Sequence, residues 1–139
     1  MTFDDQRVLV TGGSRGIGRA TAHALASRGA RVAIGYRSDE ASAQATLQAL
    51  PEVPPGAHVA LRADIADPAD AHRLVDEAHA ALGGLDVLIA NAGIGGRHRI
   101  DEDDYDAWQH AWSRILAVNL VGTANVAYAA GRHMIQGGG

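Results

Sequence analysis

An alternation along the chain constrains its fold more than any other feature. Four short runs, Arg7–Thr11 (RVLVT), Arg31–Tyr36 (RVAIGY), 58–63 (HVALRA) and 85–90 (LDVLIA), are apolar on nearly every residue, and longer amphipathic stretches separate them. A strand with one face in water alternates apolar and polar residues, whereas a strand apolar throughout must be covered on both faces. Such runs with helices between them specify a parallel sheet sandwiched between helical layers. Crossovers between parallel strands are right-handed, so the expected product is a doubly wound α/β domain.

Local signals place the helices. The first runs from about residue 16 to 28, with Gly29 where a C-cap is expected. A second spans 39–50 and ends at Pro51, Pro54 and Pro55. The third opens with Asp67 as N-cap and Pro68 at the first helical position. Ala71, Leu74, Val75, Ala78 and Leu82 share one of its faces, and Gly83-Gly84 end it. After an acidic segment (97–106) the pattern predicts one long helix from about 107 to 135. Asp101-Glu102-Asp103-Asp104 reads as a solvated lead-in to that helix, where negative charge is favourable.

Composition narrows the function classes. A net charge of −4 argues against a nucleic-acid or anionic-membrane partner. The chain has no cysteine, which excludes disulfides, thiol chemistry and zinc–thiolate sites. Its seven histidines form no HxxxH or HExxH pattern, so they are expected at the surface or in loops, with no metal site. With neither a signal pattern nor an apolar run of spanning length, a cytoplasmic protein is the expectation.

Between the first strand and the first helix lies Thr11-Gly12-Gly13-Ser14-Arg15-Gly16-Ile17-Gly18. Small residues in a strand-to-helix turn let backbone N–H groups approach an anion, and the helix N-terminus adds partial positive charge. The spacing GxxxGxG differs from the GxGxxG fingerprint and lacks the lysine of an ATP-type P-loop. The plain alternative is a turn that only reverses the chain.

The loop resembles the TGxxxGxG cofactor loop of the short-chain dehydrogenase/reductase family. Three further motifs agree in order. Asp64, followed by Ile65 in RADIAD, is similar to the aspartate that contacts adenine. Asn91-Ala92-Gly93 resembles the NNAG motif, with Ala90 in place of its first asparagine. Asn119, in AVNLVG, resembles the family's catalytic asparagine. Taken singly, Asp64 reads as a loop acceptor, Asn91 as a turn residue and Asn119 as a stray polar residue on a helix. The resemblance implies a Rossmann-type sheet, strand order 3-2-1-4, over a single nucleotide-binding domain 1–139 that is incomplete at its C-terminus. It implies cofactor contacts at Thr11, Gly12, Ser14, Arg15, Gly16, Ile17, Gly18, Asp64, Ile65, Asn91, Ala92 and Gly93, and a catalytic role for Asn119.

The nucleotide follows from the end of the second strand. Dinucleotide-binding folds that take NAD place a carboxylate there, on the ribose hydroxyls. Here the positions hold Tyr36 and Arg37, and Arg15 can reach the same corner. Guanidinium groups match phosphate oxygens, so NADP(H) is expected over NAD(H). The alternative is a pair of solvated arginines, with Asp39 and Glu40 close behind.

The family's chemistry, hydride transfer between nicotinamide and a small-molecule carbonyl or alcohol, needs a serine, a tyrosine and a lysine four residues after the tyrosine. All twelve basic residues here are arginine. Tyr128 and Arg132 have that spacing but share a helix with Asn119, and they read as a packing residue and a helix-end cation. The expectation is therefore the cofactor-binding half of an oxidoreductase similar to the 3-oxoacyl-carrier-protein-reductase-like branch. The alternative is a non-catalytic nucleotide-binding remnant. Strand four as an open edge, with Ile115, Leu116, Leu120 and Val121 less protected, predicts a homo-oligomer or association with a missing C-terminal segment.

Overall fold

The computed structural model describes residues 2–53 and 58–137; Pro54, Pro55, Gly138 and Gly139 lie outside them. The elements run β1 (Arg7–Thr11), α1 (Gly16–Ala26), β2 (Arg31–Tyr36), α2 (Glu40–Ala49), β3 (Val59–Arg62), α3 (Pro68–Leu82) and β4 (Val87–Ile89). Then come α4 (Tyr105–Leu116), a π-helical segment (Ala117–Gly122) and α5 (Thr123–Gln136). The strands form one parallel sheet in the order β3-β2-β1-β4, as expected.

The pleat of the sheet divides the core. Val8 and Val10 of β1, with Val32, Ile34 and Tyr36 of β2, pack against α1 and α2. Leu9 and Ala33 point the other way, towards Leu74, Val75 and Ala78 of α3 and Val126, Ala129 and Ala130 of α5. Small residues on β2 let α3 come close: a Cβ on Gly35 would meet the Leu74 side chain at 3.2 Å. Both faces are covered, which explains why these strands read as unbroken apolar runs. β4 is an edge strand, paired with β1 alone and half-buried throughout.

Capping accounts for three helix starts. The carboxylates of Asp39, Asp67 and Asp104 accept the backbone N–H of Ser42, Asp70 and Ala107 respectively. Gly83 ends α3 in the left-handed region (φ +74°), a conformation that favours glycine.

Three sequence expectations change. The long helix expected over 107–135 runs without a break from Tyr105 to Gln136, but its middle, Ala117–Gly122, is a π turn between α4 and α5. Tyr128 is not a packing residue; it is 64% exposed, with its ring against His72. His58 is not a surface histidine. Its Nδ1 accepts the N–H of Val32 at 3.0 Å, so Nε2 carries the proton and donates to the carbonyl of Pro51 at 2.9 Å. Val32 lies on β2 and His58 just before the edge strand β3, so the imidazole satisfies a buried N–H at the start of that pairing.

Candidate functional site

The C-terminal ends of the strands open onto a cleft of about 350 Å³. In an open α/β sheet the crevice at the carboxyl ends of the strands is where ligands bind, at the point where strand order reverses. Here that point lies between β1 and β4, the two strands whose loops carry the glycine turn and Asn91.

Thr11 anchors the arrangement. Its hydroxyl accepts the N–H groups of Asn91 and Ala92, both at 3.0 Å, and so ties the loop after β4 to the end of β1. The Asn91 amide returns the bond, donating through Nδ2 to the carbonyls of Thr11 (3.0 Å) and Gly12 (3.2 Å). Asn91 is thus a clamp on the glycine turn. Gly12 (φ +65°) and Gly16 (φ +55°) occupy the left-handed region. Gly18 is required for space: a Cβ there would lie 2.2 Å from the Gly12 carbonyl oxygen. From the other side the buried Thr46 hydroxyl of α2 donates to the Ser14 carbonyl at 2.9 Å.

This turn delivers the chain into α1 with an unusual N-terminus. Where α2, α3 and α4 are each preceded by an aspartate cap, α1 has Arg15 at the cap position, with no side-chain cap and no acid in its first turn. The first N–H groups of a helix have no intrahelical partner, and together they carry partial positive charge. At α1 they face the cleft, where Ile17 and Gly18 contribute to the wall.

Tyr36, Arg37 and Ser38 form the next part of the wall, and Arg15 lines the same cleft. The nearest carboxylate, Asp39, also borders the cleft, but its oxygens accept from the N–H and hydroxyl of Ser42. Those two bonds, chiefly the one from the hydroxyl, hold its carboxyl below the ordinary carboxylate range, and Arg15 adds a smaller charge effect. Asp64 and Ile65 close the same end. Partial burial pushes the Asp64 carboxyl up. The Arg114 hydrogen bond, the Ala66 N–H and the charges of Arg114 and Arg37 outweigh it, and the net direction is down.

At the other end Ala92, Gly93 and Ile94 line the cleft. Asn119 is not in the wall. It reaches it through Ile94, whose N–H donates to Oδ1 at 2.8 Å and whose carbonyl accepts from Nδ2 at 2.9 Å. The π segment sets Asn119 in this position.

Of the expected residues, Thr11, Gly12, Ser14, Arg15, Ile17, Gly18, Tyr36, Arg37, Asp64, Ile65, Asn91, Ala92 and Gly93 therefore share one cleft, while Gly16 stands beside it. Sequence reasoning missed Thr46, Ile94 and Arg114, which act through contacts remote in sequence. Among the described residues no group of three or more His, Asp or Glu could hold a metal ion, and no helix is long and apolar enough to cross a membrane.

The family model for short chain dehydrogenases matches residues 6–139. The chain belongs to this family. An uncharacterised short-chain type dehydrogenase/reductase of Sinorhizobium fredii is 42% identical over 143 residues, covering 100% of this chain and 54% of that protein. A glucose 1-dehydrogenase of Gluconobacter oxydans is 40% identical over 86% of this chain and 43% of its own. The crystal structure of a short chain dehydrogenase from Burkholderia cenocepacia J2315 in complex with NADP superposes with a TM-score of 0.83 at 39% identity. It covers 96% of this chain and 53% of that one. The chain spans about half the length of the relatives it matches.

Proposed function

We propose that residues 1–139 form a single dinucleotide-binding domain, the NADP(H)-holding half of a short-chain oxidoreductase acting on a small carbonyl or alcohol. The observation that carries this reading is the bare N-terminus of α1 at a cleft that Arg15 and Arg37 also line. The first-turn amides suit a diphosphate, and the two guanidiniums suit a further phosphate on the adenosine ribose. Tyr36 and Arg37 stand where an NAD-selecting carboxylate would be, and Asp39 is engaged in capping α2. The Burkholderia relative, crystallised with NADP, agrees with this choice.

When bound, the nicotinamide supplies or accepts the hydride. This chain's part is to hold and orient it: Gly12, Gly16 and Gly18 keep side chains out of the cradle, Asn91 fixes the turn, and Asn119 sets the wall at Ile94. The family's tyrosine–lysine pair has no counterpart here, because the chain has no lysine. Arginine holds its proton too tightly to substitute. On this reading the chain binds cofactor without turning over carbonyls by itself. Exposed Leu116, Leu120 and Val121, together with the β4 edge, support association through this face, either with a second copy or with a further segment of the protein.

Direct titration tests the proposal. NADPH is expected to bind about tenfold or more tighter than NADH, since one charge-assisted phosphate contact is worth about 1.5–3 kcal/mol. Arg37→Asp should abolish that difference. Equal dissociation constants for the two nucleotides in the unaltered chain would overturn it.

A further inference from the structure

Asp64 and Arg114 lie 50 positions apart in the chain, yet Nη2 of Arg114 donates to Oδ2 of Asp64 at 2.7 Å. The other carboxylate oxygen, Oδ1, accepts the Ala66 N–H at 3.1 Å. An ionised carboxylate offers about four acceptor positions, so these two bonds orient it without exhausting it. Asp64 itself borders the cleft. A second contact joins the same two regions: a Cβ on Gly122 would lie 2.6 Å from the Ile65 carbonyl oxygen. The helix that carries Asn119 therefore touches the Asp64–Ile65 turn on both sides of that asparagine.

The geometry points to Arg114 as a positioning residue for the purine end of the cofactor. It orients the Asp64 carboxylate, so that the turn accepts a hydrogen bond from a 6-amino purine and rejects a 6-oxo purine, which presents an acceptor instead. This rests on the cofactor reading above. The charged groups around Asp64 come from three elements. Arg114 reaches it from α4, and Arg37 adds a favourable charge from beyond β2. Asp70 of α3 accepts the Asp64 backbone N–H and is itself paired with Arg73. Arg114 alone among these donates to the Asp64 carboxylate, so its removal leaves the cost of burial opposed mainly by the Ala66 N–H.

The test measures binding to the whole chain by calorimetry between about pH 4 and 8. The probes are 2′-phosphoadenosine 5′-diphosphate, its hypoxanthine counterpart and nicotinamide mononucleotide. Arg114→Met should weaken the adenine probe about tenfold, the scale of a lost bond to a charged group. It should leave the mononucleotide unchanged, lower the adenine-to-hypoxanthine preference, and move the acid limb of adenine binding to higher pH. Arg114→Lys should restore most of each. Equal loss of both half-probes with no movement of the acid limb means a merely structural role and overturns the inference. Asp64→Asn provides a check that does not depend on how Arg114→Met folds: it should erase the acid limb and the purine preference while Arg114 remains. An unchanged preference overturns the inference. If the unaltered chain binds none of the three probes, the cofactor reading itself falls, a result distinct from the others.

Discussion

Substituting Gly18 by alanine tests the architecture of the glycine turn with one methyl group. Its Cβ would lie 2.2 Å from the Gly12 carbonyl oxygen and 2.6 Å from Nδ2 of Asn91. An ordinary carbon–oxygen contact is about 3.3 Å, so the turn and α1 must separate by about 1 Å. Forced overpacking of this kind costs about 1–3 kcal/mol. Displacing Asn91 adds the weakening of its two bonds to Thr11 and Gly12, about 1 kcal/mol together. Gly18→Ala should therefore lose about 2–4 kcal/mol, read in urea as a midpoint about 1–2 M lower at unchanged slope. Two other glycines serve as controls. At Gly16 a Cβ meets nothing within 4 Å but φ is +55°, so alanine there should cost about 1–2 kcal/mol through left-handed strain alone. At Gly131, inside α5 and equally open, alanine should stabilise by about 0.5–1 kcal/mol. A Gly18→Ala protein within about 0.5 kcal/mol of the parent would refute the close approach on which the cradle depends.

Two further outcomes concern the frame. Arg7 grips Asp86 through its side chain and backbone N–H, and these bonds, chiefly the side-chain one, hold the Asp86 carboxyl below its ordinary value. The unfolded chain then takes up a proton at higher pH than the folded one. The pair's contribution is full above about pH 4 and is lost as pH falls through the lower folded value; urea midpoints against pH should show that loss, and Asp86→Asn should flatten it. His58→Leu orphans the buried N–H of Val32, so it should cost about 1–3 kcal/mol and speed hydrogen exchange at Val32, whereas unchanged exchange there would show that the imidazole is dispensable.

Much of this molecule is legible in local patterns because local rules decide it. Apolar runs such as Arg7–Thr11 are short and buried on both faces, and the Asp67 cap with Pro68 acts within one turn. The differences arise where a residue answers to something distant. His58 sits before an edge strand and serves β2 across 26 positions. Asn119 is held by the Ile94 peptide 25 positions away, and the helix widens into a π turn where it makes that contact. Apolar periodicity across 107–135 fits either a regular helix or one with an inserted residue, so no count of hydrophobic positions could separate them. Arg114 drew no attention in the sequence, because its partner Asp64 lies 50 positions away.

The most informative signal in the sequence was one that is easy to pass over. A soluble helix ordinarily gains from an acidic or hydroxyl residue at its start, and α2, α3 and α4 all follow that rule. The chain enters α1 through Gly13-Ser14-Arg15-Gly16, and Arg15 sits at its cap with a charge of the wrong sign for the helix dipole. Among the described residues no side chain caps those helix amides: the Asn91 amide and the Thr46 hydroxyl donate to carbonyls of the turn, and the Asp39 carboxylate, which Arg15 influences only weakly, accepts from Ser42. Two like partial charges, the helix terminus and the guanidinium, are held at one corner by a turn built to exclude side chains. Such a corner is stable only at a cost in the free chain, and that cost is returned when an anion arrives. Replacing Arg15 by aspartate should then act in opposite directions, raising the melting temperature of the free chain while weakening NADPH, and a loss on both measures would refute the claim that positive charge at this corner costs the free chain stability.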